Sequence, residues 1–516
     1  MNDKGNEQTL KKGAVGTIHG VFQSFSFVGP AADVAILLIG TFVYALASTP
    51  LAVTIAWLIY GLWMITPYEF SKYKTNAGSY YAYAASSTKN GALGPVTLFS
   101  WMGENLTGQS FGILGLAAFL FAISSQISSI PYIWVAFAVI ITAYMFILPY
   151  LGIRISLNYV AITGIMEVLV LLIGSIIIIV KVGAANSIIP FTIPSGTFSL
   201  VLFGVIFSIL DFTGLGTVTT VSEEITEPRK KVRKALIIAW LLSGVALIPA
   251  SYALTVGWGI SNIANYASSP DPGLIVFQRY LGPAGFVLLA IFTINSYFSY
   301  GVAKTNAVSR IWFSAARDGV VFPKSLGKVH PKHRTPANAM ILWLGVSFVM
   351  DIVLGFIFGP LTAGLVLLSM AGIAIIFVHV FANTGLSIFS YRELRAKKES
   401  NILYHIVAPT FSSILGLIVV AYSIQSAVST YLAAPNTSNL AFLIAPVIGV
   451  VWCLVIGGAL SLYYHAKKKE VLRGAGRYDA EQPDQASNTP PRQQAKADTA
   501  QTKSGFYPIL RGFSNE

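Results

Sequence analysis

Apolar runs of about 20 residues recur along the whole chain, separated by short polar segments. A helix rises about 1.5 Å per residue, so each run is long enough to cross a hydrocarbon core about 30 Å thick. The pattern predicts twelve transmembrane helices, at about 18–46, 51–70, 96–124, 131–150, 156–181, 197–222, 235–258, 283–315, 337–358, 360–388, 404–433 and 440–466. The expected fold class is an all-α polytopic membrane protein. Residues 1–17 form a cytoplasmic N-terminal segment, 18–466 the membrane domain, and 467–516 a tail.

Two of the runs are interrupted. In the first, Gly29-Pro30 falls about a dozen residues in, followed by the small residues Ala31 and Ala32. Proline removes a backbone donor and clashes with the preceding turn, so a second half-helix is expected to start there. Its free N–H groups and positive dipole end would face an anion. In the sixth, VIFSILDFTGLGTVTTVSEE carries Asp211, Thr213, Gly214 and Gly216 near mid-span and ends on Glu223 and Glu224. Broken backbone at membrane depth is tolerated where it lines a site. Two interrupted spans five apart predict an inverted five-plus-five repeat, about 18–181 and 197–388, with a midplane site.

Composition and charge sharpen this picture. The chain has 516 residues, 54% hydrophobic and 11% charged, against about 25% charged in soluble domains. The net charge of +13 does not point to nucleic acid. Thirty of the 34 Lys and Arg residues fall on one side of the predicted spans, and only Lys181 and Arg279 on the other. That asymmetry places both termini in the cytoplasm. The remaining two, Lys304 and Arg310, lie inside the eighth span. No cleavable leader pattern is read at the N-terminus. Cys453, the single cysteine, reads as a small core residue. The tail, rich in Pro, Gln, Ala, Asp and Thr, is expected to be disordered. The long outer loop before the eighth span is a candidate lid.

Four stretches resemble the amino acid permeases of the amino acid/polyamine/organocation transporter superfamily. They are GPAADVA in the first span, TPLAV with NAGSYYAYAASSTKNGALGP around the second, FTGLGTVTTVSEEITEPRKKVRKAL at the sixth, and NAVSRIWFSAARDGVVFPKSLGKVHPKHRTPANA after the eighth. The resemblance implies a LeuT-like fold and secondary active transport of an amino acid or amine. It implies that a substrate carboxylate meets backbone N–H groups after the first break, from Pro30 through Ala31 and Ala32 to Asp33, with Gly29 among the substrate-binding residues. The ammonium would meet freed carbonyls at Phe27 and Val28, and at Ser208 to Asp211, including Leu210. Phe212, Thr213 and Gly214 complete that wall.

Departures from the family pattern direct attention to single residues. Gly216 stands where an acidic residue is usual, so acid sensing there is lost. Asp211 stands where a small residue is usual, and is either an ammonium contact or a cap on broken backbone. Glu104 in the third span is either a substrate contact or a partner of Asn105 or Thr107. Glu167 in the fifth span occupies a position where some relatives carry lysine. Lys304 is expected to supply that charge by pairing with Glu167, Asp33 or Asp211. Such a pair is either proton-coupling machinery or a fixed structural bridge. A positive charge there also disfavours a neighbouring sodium ion. At the inner face, Glu223, Glu224, Arg229, Arg317 and Asp318 form either a gate or a solvated charged rim.

The expected function is plasma-membrane transport of amino acids or related amines by alternating access, coupled to protons. Sodium-independent exchange and a non-transporting sensor are the alternatives. An enzyme is disfavoured, because no metal-ligand or nucleophile motif is visible among the six histidines and the polar residues. No cofactor and no metal are expected. The partners expected are substrate, protons and lipid, and no nucleic acid.

Overall fold

The computed structural model of the protein describes residues 9–482. Among these, every regular element is a helix, apart from one isolated bridge between Val15 and Ile225. Ten helical stretches are long and apolar enough to cross a bilayer. Twelve were expected, and the difference arises at two places. Residues 17–70 run as one helical stretch of 54 residues, turned at Leu46–Ser48 where Leu46 takes φ 48°. The sixth expected span contributes only Phe198–Leu210, 13 residues, or about 20 Å.

Nine helices build the site or its frame. They are α1 (Thr17–Val28), α2 (Thr49–Phe70), α3 (Leu93–Thr107), α4 (Ile153–Val182), α5 (Phe198–Leu210), α6 (Pro228–Trp258), α7 (Pro272–Arg317), α8 (Ala337–Phe358) and α9 (Pro360–Phe389). α1 packs against α4, α6 and α7, while α9 lies along α3. α5 packs on α2 and on the Leu38–Ala45 helix.

The polarity of the packing is that of a membrane protein. Ile162, Ile165, Leu169, Ile173 and Ile176 on α4 all face outward and are half exposed. Glu167 on the same helix is fully buried. Water would penalise that apolar surface, whereas lipid would not, and lipid would penalise an outward Glu167. The molecule is a multi-pass, all-helical membrane protein.

The polar end of the chain differs from expectation. Residues 467–482 were expected to be disordered, but Lys469–Gly474 forms a helix and residues 476–480 lie against Lys74 and Asp318. The Ala480 amide donates to the Thr75 carbonyl at 2.9 Å, and Asn76 donates to the Tyr478 carbonyl at 2.9 Å. Bonds made by the main chain of the tail leave no mark in its composition. Residues 483–516 of the tail lie outside the described residues.

Candidate functional site

Two local breaks bring backbone and side chains to one small cavity. α1 ends at Gly29, whose φ of 78° is left-handed and suits glycine. Pro30 then begins the next helical turn. α5 ends at Leu210, and a turn through Asp211 to Gly216 leads into the 3₁₀ helix Thr217–Glu224. The segments lock together by polar contacts. Ser24 Oγ accepts from the Val218 amide at 3.0 Å, and Tyr60 Oη accepts from the Gly214 amide at 3.1 Å. Gly214 has φ 107°, and a Cβ there would collide with Phe27. The close approach of the two breaks therefore requires glycine.

The cavity between them measures about 40 Å³. Phe27, Val28 and Asp33 line one side, Leu210 and Thr213 a second, and Glu104 and Tyr300 a third. Asp33 and Asp211 are both fully buried. Neither has a hydrogen-bond partner on either carboxylate oxygen among the described residues. The expected free carbonyls of the α5 end are engaged instead. Ser208 accepts from the Asp211 amide at 3.2 Å, Ile209 from Phe212 at 3.3 Å and Leu210 from Thr213 at 3.0 Å. The chain tightens into 3₁₀ turns rather than opening, which satisfies its own orphan carbonyls.

The ion pair at the cavity is not among those expected. Lys304 Nζ donates to Glu104 Oε1 at 2.6 Å and to Tyr300 Oη at 3.1 Å. It does not pair with Glu167, Asp33 or Asp211. Gly108 is the physical reason for its course: a Cβ there would fall 2.5 Å from Nζ, so the missing side chain opens the path from α7 to α3. Asn105 holds the other oxygen of Glu104 at 2.9 Å, so Glu104 serves both as cavity wall and as a partner of Asn105. Glu167 instead accepts from Asn295 Nδ2 at 3.2 Å, with its second oxygen unpartnered among the described residues.

Gly216, the expected acidic position, has its missing side chain replaced in space by Tyr80, whose hydroxyl a Cβ would strike. Asp351 on α8 was missed by sequence reasoning. It is fully buried, within electrostatic range of Lys304, and unpartnered among the described residues. Its signal was readable: a lone carboxylate in an apolar span, the feature that drew attention to Glu167.

The expected gate residues separate into four sets of contacts. Arg317 grips Glu223 with two bonds of 2.9 and 3.1 Å. Glu224 pairs with Arg310, with Nη2 donating at 3.0 Å, and both side chains are shielded from solvent. Arg229 reaches neither glutamate and pairs with Asp479 and Glu481 of the tail at 3.0 and 2.8 Å. Asp318 accepts from Tyr81 Oη at 2.9 Å and from the Gly476 amide at 2.8 Å. Burial raises its carboxyl above the ordinary range, opposed by the Arg317 charge. The Arg317 guanidinium also lies 3.7 Å from the centre of the Tyr478 ring.

The profile of the amino acid permease family matches residues 19–473. The chain belongs to the amino acid permease family. Membership of a permease family sets it among transport proteins rather than enzymes. A low-affinity putrescine importer, PlaP, of Escherichia coli K12 is 28% identical over 275 residues, covering 52% of this chain and 59% of that protein. The branched-chain amino acid permease BcaP of Bacillus subtilis is 32% identical over 209 residues, 38% of this chain and 41% of that one. The chain thus matches about half the length of these relatives. In architecture it resembles the manganese transporter of Eremococcus coleocola, with a TM-score of 0.52 at 13% identity, over 87% of this chain and 95% of that one. That likeness bears on the fold, which is LeuT-like.

Proposed function

We propose that this permease moves amino acids or related amines across the plasma membrane by alternating access, with both termini in the cytoplasm and protons as the coupling ion. The carrying observation is the cavity between the two helix breaks, lined by Asp33, Glu104 and Thr213 among apolar groups. Ligand sites of this kind combine apolar walls with a few polar anchors. The putrescine and branched-chain relatives support both substrate classes without choosing between them. The count of twelve crossings belongs to this reading, taking Thr17–Phe70 as two spans and residues 198–224 as one broken span.

Proton coupling is supported by an excess of buried carboxylates. Asp33, Glu104, Glu167, Asp211 and Asp351 are all buried, while Lys304 is the cation bonded among them. Carboxylates inside membrane spans mark proton relays in pumps and transporters. The coupling pair once expected between Glu167 and Lys304 gives way to Glu104 and Lys304, and Glu167 keeps a separate candidate role as a proton carrier. The argument from Lys304 against a sodium ion weakens, because Glu104 neutralises its charge.

We read the inner contacts Glu223–Arg317 and Glu224–Arg310 as a cytoplasmic gate, closed here and covered by residues 476–480. Two charge pairs that are largely buried hold more firmly than exposed rim pairs, which are worth under about 1 kcal/mol. The test is labelled uptake in proteoliposomes across a panel of amino acids and amines, with and without a pH gradient. Accumulation that needs sodium at constant pH would overturn proton coupling. Binding without flux would favour a sensor.

A further inference from the structure

We propose that the cavity selects an aliphatic amine without a carboxylate, held by an ammonium on Asp33, over the α-amino acid of the same skeleton. This rests on the transporter reading of the same site. Asp33 lines the cavity, is fully buried, and has no partner on either oxygen among the described residues. A buried carboxylate is costly unless it is paired. An alkylammonium supplies that pair through a charge-assisted hydrogen bond.

The surroundings of Asp33 favour a cation and disfavour an anion. Asp211 and Glu167 are the carboxylates within electrostatic range of it. Each has at least one unpartnered oxygen among the described residues. The cation at the cavity, Lys304, is committed to Glu104 and Tyr300. It is therefore not free to meet a substrate carboxylate. Arg310 is likewise committed to Glu224.

A substrate carboxylate would depend on backbone donors at the α1 break. Pro30 has no N–H, and the Asp33 amide is bonded to the Gly29 carbonyl at 2.9 Å. Ala31 and Ala32 remain, next to the Asp33 carboxylate in the chain. An anion drawn to them would sit beside the acidic groups of Asp33, Asp211 and Glu167, with Lys304 already engaged by Glu104 and Tyr300, and a buried charge left without a counter-ion is costly. The rest of the wall suits a methylene chain, with Phe111, Leu210 and Ile375 among its apolar side chains.

Matched pairs isolate the carboxylate. Ornithine is putrescine with one added carboxylate, and lysine stands in the same relation to cadaverine. Binding of all four to the purified full-length protein is measured by isothermal titration. Each amine is expected to bind at least tenfold more tightly than its amino acid, and Asp33→Asn to weaken putrescine at least tenfold. Equal or tighter binding of the amino acids overturns the proposal, as does absence of binding by all four. Should Asp33→Asn not fold, the comparison on the native chain stands alone. Counterflow in liposomes reads the other claim: putrescine binding without flux sinks the transporter reading and leaves the amine preference standing.

Discussion

Lys304 Nζ lies 2.6 Å from Glu104 Oε1, with both side chains withdrawn from solvent. The two residues stand on different helices, 200 positions apart. Removing one partner of such a pair strands the other charge, at a typical cost of about 3–5 kcal/mol. Glu104→Gln and Lys304→Met should each lower thermal stability by that order. The double variant should recover most of the loss, because replacing both charges by neutral groups is often close to neutral. Thermal unfolding of the four proteins in detergent checks the cycle, and additive losses would show that the pair is not coupled.

The same variants separate coupling from scaffolding. With the double variant folded, proton-driven uptake should fall while exchange of internal for external substrate persists. Uptake driven by a pH gradient at the native rate would leave the pair a structural role only.

Gly216 and Tyr80 form a steric pair. Gly216→Ala places a methyl group against the Tyr80 hydroxyl, and overpacking of this kind costs about 1–3 kcal/mol. Tyr80→Phe removes the obstructing atom and should restore part of the stability of Gly216→Ala. Thermal unfolding of the single and double variants tests this. A Tyr80→Phe background that leaves the loss unchanged would contradict the contact.

Much of the architecture was legible in the sequence, because lipid imposes length and polarity on every span. Gly29-Pro30 and the glycines at 214 and 216 mark real departures from regular helix. The partners across the interior were not legible. Glu104 meets Lys304 because Gly108 leaves a gap, and Glu224 meets Arg310 because the 3₁₀ segment turns toward α7. Those are facts of three-dimensional placement rather than of periodicity. Asp351 carried the same signal as Glu167 and was passed over. Residues 476–480 dock through one main-chain bond, Ala480 to Thr75, and through side chains of Asn76, Arg229, Arg317 and Asp318 that lie far away in sequence, a meeting that no periodicity marks.

The inner gate yields a labelling prediction. Cys453 is the single cysteine and is buried, so its background is low. Ser222→Cys introduces a buried thiol beside Glu223. Its labelling by a membrane-impermeant maleimide from the cytoplasmic side should be slow, and faster by about an order of magnitude when Arg317→Ala removes the clamp, the rise expected if the lost pair is worth about 1.4 kcal/mol. Equal rates would show that Glu223–Arg317 does not seal that face.

Asp271, at the N-terminal end of α7, gives a pH prediction. Burial raises its carboxyl to about 7, and one of its oxygens has no partner among the described residues. A raised folded-state value means that the folded protein resists ionisation more than the unfolded chain does. The penalty grows with pH from the unfolded value near 4 up to about 7, then levels. Asp271→Asn should therefore stabilise the protein by an amount that rises between those limits and is constant above. Unfolding midpoints across that range check it, and a gain greatest in acid would contradict the sign.

The most direct test of the central claim is accumulation of labelled amino acids and amines in proteoliposomes containing the purified full chain. An inward proton gradient at constant sodium should drive uptake of at least one of them, and Glu104→Gln or Asp33→Asn should abolish it. Specific binding with no flux under any gradient, or flux that neither variant changes, would contradict a transport site at the meeting of the two helix breaks.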